Sequence, residues 1–221
     1  MKTEHLIITI DGPAGVGKTT LASSLARQLD IPCLDTGAMF RSVGWMTMNA
    51  SQKGLKHSIR EILAEMHFEL QGRGYRACLV LNGRVPGPEI RTEEAGLKAS
   101  QVGSMPEVRE FLKAAQRRIG QGHSLVAEGR DMGSVVFPQA SCKFFLDAAP
   151  EVRADRRVRQ LESMGREADY QKILKQIIQR DDQDRNRALA PLKPAPEAVI
   201  IDTGSLDQDQ VLAKMLSFIN R

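Results

Sequence analysis

The chain has 221 residues, 42% hydrophobic and only 5% aromatic, with a formal charge of +4 and a pI near 9.1. That length holds one α/β domain with a small subdomain and an aliphatic core, and the scarcity of aromatics argues against a β-sandwich. The basic excess is modest and no Lys/Arg block carries interleaved aromatics, which argues against a nucleic-acid partner, and no apolar run is long enough for a bilayer span or a signal segment.

Leu6-Ile7-Ile8-Thr9-Ile10 is a β-branched apolar run, the composition of a strand buried on both faces. It leads into Gly12-Pro13-Ala14-Gly15-Val16-Gly17-Lys18-Thr19-Thr20, which satisfies G-x-x-x-x-G-K-[ST]. Leu21, Leu25 and Leu29 then recur every four residues, so a helix is expected to begin within the loop. Glycines without Cβ let successive backbone N–H groups turn inward while the helix N-terminus adds its positive end. A nucleoside triphosphate fits such a cradle, with Lys18 reaching the β- and γ-phosphates and the Thr19 hydroxyl ligating Mg²⁺. The loop does not identify the acceptor.

Ile31–Leu34 reads as a second strand, ending at Asp35-Thr36, either of which can cap the helix that carries Arg41. A helix over Ser58–Met66 is followed by short β segments at His67–Leu70, Arg76–Leu81 and from Val85 onward. They are separated by Gly72-Arg73-Gly74 and by the hairpin signal Asn82-Gly83. This small antiparallel sheet reads as an inserted lobe, residues 58–102, within a core formed by residues 1–57 and 103–221.

Helices are expected over Arg91–Val102 and Pro106–Ile119, with Pro106 in a first turn. The strand Ser124–Ala127 runs into the charge-dense Glu128-Gly129-Arg130-Asp131-Met132-Gly133, and functional loops of open α/β sheets follow strands in this way. Cys142–Leu146 is a further strand, leading to an Arg-rich helix. Met164-Gly165-Arg166-Glu167 breaks that helix from Tyr170–Arg187 and is short enough for a hinged flap. A proline-stiffened connection, a last strand at Ala198–Ile201 and an amphipathic helix over Asp207–Ile219 close the chain. Cys33, Cys78 and Cys142 are widely spaced with no C-x-x-C, and read as buried thiols of a cytoplasmic protein rather than disulfides or zinc ligands.

Arg41, Arg130 and Arg187 each fall at or near a predicted strand or helix end, where charge marks a site. The pair Arg130-Asp131 matches the donor and acceptor edge of cytosine; the alternative is a salt bridge that stiffens the turn. Arg180, Asp184 and Arg187 share one helix face at i, i+4 and i+7, which suits a sugar hydroxyl and a phosphate, against the alternative of a solvated charge-laced face. No Ser-His-Asp set or histidine metal cluster is evident, and phosphoryl transfer needs neither, because positioning and charge neutralisation supply most of the rate.

Taken together, these motifs resemble bacterial cytidylate (CMP/dCMP) kinases, a family of P-loop nucleoside monophosphate kinases. The resemblance is carried by Ile10 to Thr20, Leu34 to Arg41, Gly87-Pro88-Glu89-Ile90-Arg91, Ala99-Ser100-Gln101-Val102 and Val108-Arg109-Glu110. It continues through Gly129 to Pro138 and Arg180 to Leu192, whose Gly-Arg-Asp-Met-Gly and Arg-Asn-Arg-Ala-x-Ala-Pro-Leu blocks are far more specific than the phosphate loop. It implies an adenylate-kinase-like P-loop fold: a parallel five-stranded sheet flanked by helices, with the inserted β lobe and a lid near residues 160–170. It also implies transfer of the γ-phosphoryl group of ATP to CMP or dCMP with Mg²⁺, by a monomer without nucleic-acid or membrane partners.

By the same resemblance Ser100, Arg109 and Asp131 contact cytosine, Arg41, Arg130 and Arg187 the acceptor phosphate, and Asp184 with Arg180 the sugar. Thr36 joins the substrate contacts, and Arg153, Arg156 or Arg157, with Arg157 chosen as catalytic, stabilises the phosphoryl group in flight. Phe40 stands where the family often has Tyr, Thr36 where it often has Ser, and Glu128 where Asp is common. A kinase for another monophosphate and a nucleotide-dependent switch are the competing readings; the Asn-Lys-x-Asp signature of many GTPases is absent.

Overall fold

The computed structural model describes residues 5–52 and 57–219. Its strands are β1 (Ile7–Asp11), β2 (Cys33–Asp35), β3 (Phe68–Gln71), β4 (Cys78–Leu81), β5 (Leu125–Gly129), β6 (Cys142–Asp147) and β7 (Val199–Asp202). Its α-helices are α1 (Lys18–Leu29), α2 (Thr36–Gln52), α3 (Ile59–Ala64), α4 (Glu93–Val102), α5 (Pro106–Gly122), α6 (Pro150–Ser163), α7 (Tyr170–Asn186) and α8 (Gln208–Ile219). Five strands form one sheet in the order β2-β5-β1-β6-β7, and β3 and β4 form a separate antiparallel pair. The pairings β2 with β5, β1 with β6 and β6 with β7 are parallel, so the alternation of strand and helix has produced the expected parallel sheet flanked by helices.

By their internal contacts the residues fall into two compact units, Met1–Ile7 with Ala26–Glu128, and Ile8–Leu25 with Gly129–Arg221. In the first, β2 and β5 run in register from Cys33 opposite Val126 to Asp35 opposite Glu128. Helix α2 contains several poor helix formers, yet Ser42, Thr47 and Ser51 each donate a hydroxyl hydrogen bond to the carbonyl four residues back, which satisfies them inside the helix. It crosses α4 closely at Gly44, where a Cβ would stand 2.9 Å from the Ala99 nitrogen. Helix α3 opens with a capping box between Ser58 and Glu61.

The hairpin β3-β4 pairs from Phe68 opposite Leu81 to Gln71 opposite Cys78. The turn at Asn82-Gly83 also forms, both residues at positive φ of 50° and 76°, as the sequence signal requires. The strand expected from Val85 onward does not form, beyond a single bridge between Leu81 and Arg84. Pro86 and Pro88 lack the N–H groups a ladder needs, and a 3₁₀ turn over Pro88–Arg91 takes its place. Asn82 instead closes the lobe with its side chain, accepting from the His67 N–H at 2.7 Å and donating to the Glu65 carbonyl at 2.7 Å.

In the second unit, Ile8, Thr9 and Ile10 on successive faces of β1 are all fully buried, as an interior parallel strand demands. Helices α6 and α7 pack through Ala154, Ile173 and Ile177, flanked by Val158, Leu161 and Leu174. The break between them is a hydrogen-bonded Schellman cap: Gly165 sits at φ +69°, its N–H bonds the Glu162 carbonyl, and the Arg166 N–H bonds the Leu161 carbonyl. On β7, last in the sheet order, Ile201 is buried while Ile200 is 60% exposed. The three cysteines are free as expected, but half-buried rather than buried, because each lies at the first position of a strand.

The tight crossing at Gly44 yields a stability test. Gly44→Ala drives a methyl group into backbone that cannot swing aside, and is expected to cost about 1–3 kcal/mol, the usual range for overpacking. Urea denaturation reads this directly, and an unchanged midpoint would mean that the helices have room to separate.

Candidate active site

In the second unit the phosphate loop is shaped by close approach. Gly12, at φ +150°, lies where a Cβ would stand 2.2 Å from the Leu146 carbonyl oxygen, so only glycine fits. The loop delivers the chain into the first turn of α1, where the positive end of the helix dipole favours an anion. Lys18 is buried and donates from Nζ to the Pro13 carbonyl at 2.6 Å, which spans the loop with an ammonium group. Thr19 and Thr20 follow it, exposed on the first turn of the helix.

Directly before the loop, the buried carboxylate of Asp11 accepts the Met132 and Gly133 N–H groups, each at 2.8 Å. These amides open a single π-helical turn over Met132–Val136, in which the Asp131 carbonyl accepts from Val135 and Val136. Gly133 is required there, since a Cβ would stand 2.8 Å from the Thr9 hydroxyl. Burial pushes the Asp11 carboxyl up to about 6, against the opposing pull of the Gly133 and Met132 amides.

The next cluster joins Arg130 and Asp131 to α7. Arg130 donates from Nε to Asp184 at 2.9 Å and from Nη1 to the Gly129 carbonyl at 3.1 Å. Arg187 donates to the Ala190 carbonyl at 2.6 Å, and its guanidinium lies 3.5 Å from Asp131 and 3.7 Å from Asp184. Asp131 therefore pairs with Arg187 and Arg130 with Asp184, which replaces the alternative of a local Arg130–Asp131 bridge. Burial raises the Asp184 carboxyl, but Arg130, Arg180 and Arg187 together outweigh it and hold the group below its usual range. The helix ends at Asn186 rather than Arg187, so Arg180 and Asp184 on α7 and Arg187 just past its end, rather than one helix face, make up a partly buried charge cluster.

In the first unit, Asp35 is the residue that caps α2, accepting the Ala38 N–H at 2.8 Å, while Thr36 donates its hydroxyl to the Glu128 carbonyl at 2.7 Å. Arg41, one and a half turns along, pairs with Asp35 at 3.1 Å, and its buried Nε has no hydrogen-bond partner among the described residues. Gly37 leaves room for this pair, as a Cβ there would meet the Asp35 carboxylate at 3.1 Å and the Arg41 guanidinium at 3.2 Å. The Arg109 guanidinium lies 5.7 Å from the centre of the Phe40 ring and donates to the Gly103 carbonyl. Ser100 is half-buried near the end of α4.

The arginines of α6 have three different fates. Arg157 is exposed and bonds Gln160 at 2.8 Å; Arg156 bonds the hydroxyl and carbonyl of Thr203. Arg153 is buried against Asp181 and the phosphate loop. Sequence reasoning missed Asp11, Asp181 and this role of Arg153. A signal existed for Asp181, which extends the buried stripe Ile173, Ile177 at i+4 spacing: a carboxylate on an apolar stripe calls for a buried cation.

The cytidylate kinase family model matches residues 8–221. A cytidylate kinase of Oleidesulfovibrio alaskensis is 53% identical over 214 residues, covering 97% of this chain and 98% of its relative. One from Fervidobacterium nodosum is 48% identical, covering 97% of this chain and 96% of that one. Among solved structures, an uncharacterized protein of Eubacterium ventriosum matches with a TM-score of 0.55 at 14% identity, covering 98% of both chains, a likeness of fold.

The strained position of Asp11 gives a pH dependence. Its carboxyl titrates near 6 when folded against an ordinary 3.8, so the folded state holds this proton more tightly than the unfolded state. The group therefore favours folding fully below about pH 4, and that contribution, roughly 3 kcal/mol for a shift of about two units, is lost as pH rises through 6. Carbon-13 NMR of the Asp11 carboxyl is expected to show a midpoint near 6; a midpoint at or below 4 would contradict the desolvation argument.

Proposed function

The chain belongs to the cytidylate kinase family, and from that premise we infer how its residues carry an ATP-dependent transfer of the γ-phosphoryl group to CMP or dCMP, giving ADP and CDP or dCDP. The observation that carries the donor half of the reading is the phosphate loop, a glycine that admits no side chain, a buried lysine and a helix N-terminus in succession, while the acceptor half follows from the family.

At the donor, the N–H groups of Gly12 to Thr20 and Lys18 bind the β- and γ-phosphates of ATP. The protein offers Mg²⁺ one hydroxyl, Thr19, and among the described residues no group of three acid, histidine or cysteine side chains is placed to hold a metal. That donor set fits a cation that arrives on the nucleotide and keeps its waters. When bound, Mg²⁺ would supply positive charge against the β- and γ-phosphates. Arg157, exposed on α6, adds a cation for the phosphoryl group in flight.

At the acceptor, Arg41, Arg130 and Arg187 take the CMP phosphate. Their guanidiniums now face carboxylates, on Asp35, Asp184 and Asp131, and phosphate oxygens satisfy the same planar fork. Asp131 accepts the cytosine amino group while Ser100 and Arg109 complete the base contacts, with Thr36 beside them. Asp184 and Arg180 hold the sugar. Residues 58–102 serve as the monophosphate lobe and residues 160–170 as a lid whose closure excludes water. No strong base is required, because the acceptor oxygen is already anionic and its placement supplies most of the acceleration. The enzyme is assigned to the cytoplasm as a monomer working on free nucleotides in pyrimidine metabolism, without a nucleic-acid partner.

A coupled assay over CMP, dCMP, UMP and AMP with ATP tests the assignment, with CMP or dCMP expected to lead; UMP or AMP turning over faster would reassign the substrate. Asp131→Asn is expected to lower the preference for CMP over UMP by about 10-fold or more, since a buried polar group is then mispaired. Unchanged kinetics and discrimination in that variant would remove Asp131 from base recognition.

A further inference from the structure

Arg153 heads the fully buried large side chains of the protein, at 1% exposure, and each of its three guanidinium nitrogens donates to a protein acceptor. Nε donates to the Ala148 carbonyl just past β6 at 2.9 Å. Nη1 donates to the Ala14 carbonyl of the phosphate loop at 3.1 Å and to Asp181 at 3.0 Å, and Nη2 donates to the other Asp181 oxygen at 2.5 Å. The side chain also forms the floor of the loop, since a Cβ on Gly15 would meet the Arg153 Cβ at 3.4 Å. An arginine so committed is not placed to grip phosphate.

We propose that Arg153 is a positioning residue: its bidentate pair with Asp181 locks the Ala14 carbonyl, and with it the N–H cradle, in register with α7. Helix α7 carries Arg180 and Asp184 and ends just before Arg187, so one buried pair sets the donor loop against the helix of acceptor groups. This rests on reading loop and helix as donor and acceptor sites.

The chemistry argues for geometry over stability as the role of the pair. Desolvating two charges offsets most of their attraction, and well-packed apolar replacements of such pairs are often neutral or stabilising. What an apolar pair cannot do is hold a carbonyl in a fixed direction. A loop carbonyl displaced by about 1 Å shifts the cradle by enough to cost about 10²-fold in turnover.

The test uses the full chain with two variants, the paired replacement Arg153→Met with Asp181→Leu, and Arg153→Lys alone, which keeps the charge but loses the fork. Each is compared with wild type by thermal melt and by steady-state kinetics with ATP and CMP. Both variants are expected to raise KM for ATP about 10-fold, leave KM for CMP within about 2-fold, and lower kcat, by about 10²-fold in the paired replacement and less in the lysine variant. A fall in kcat with both KM values unchanged, which is what a smaller folded fraction produces, would overturn the proposal, as would wild-type kinetics in either variant. Should the paired replacement fail to fold, the lysine variant decides alone by the same split. ATP affinity measured by calorimetry without CMP keeps this test separate from the functional assignment: wild type that binds ATP but leaves CMP unphosphorylated would defeat the substrate reading, while the ATP shift in the variants would still stand.

Discussion

One carboxylate does the work of joining two loops. Asp11 ends β1 and immediately precedes the phosphate loop, and its two oxygens hold the amides that immediately follow Arg130 and Asp131. Asparagine in its place would set an NH₂ donor against one of the two amide N–H groups that the carboxylate oxygens accept. Glycine is required on both sides of this junction, at Gly12 against the Leu146 carbonyl of the paired strand β6 and at Gly133 against the Thr9 hydroxyl. The burden appears as a carboxyl lifted to about 6 by burial, a free-energy cost borne for position.

The arginines are held in readiness in a related manner. Asp184 sits among Arg130, Arg180 and Arg187, which keep it ionised, and Asp131 faces Arg187. Acids in these forks fix guanidinium planes that would otherwise sample many rotamers, so the entropy of ordering them is largely met before a nucleotide arrives. With three cations to two acids, the cluster keeps a net positive field for an anionic ligand. Arg41 and Asp35 repeat the arrangement in the other unit.

Much of this was legible from residue order, wherever local chemistry determines local geometry. The strand, phosphate loop and helix at the start of the chain, the first-turn Pro106 and the Asn82-Gly83 turn each depend on neighbours within a few residues, and each formed where expected. The i, i+4 placement of Arg180 and Asp184 on α7 likewise follows from helical period, whereas the helix stops at Asn186 and Arg187 follows it in extended backbone. What escaped was long-range. Val85 has strand character, but Pro86 and Pro88 deny it a ladder. Arg153 was one of three lid arginines implied by the resemblance, with Arg156 and Arg157, and only its partner 28 residues on shows it to be buried against the phosphate loop. The choice of Asp35 over Thr36 as cap turned on the Glu128 carbonyl, which claims the Thr36 hydroxyl from across the strand pair. The π-helical turn after Asp131 has no local signature, being imposed by the Asp11 carboxylate.

The outward-facing Ile200 has a consequence for handling the protein. It lies between Val199 and Ile201 on β7, which among the described residues pairs with β6 alone, and the free side of such a strand can pair with another chain. Glu197 and Asp202, both exposed, bracket the segment with negative charge, and Pro194 and Pro196 prevent it from lengthening toward the N-terminal side. Charge beside an edge strand and proline ahead of it are the devices that discourage a strand edge from recruiting another chain, so substituting the two acids would remove part of that protection.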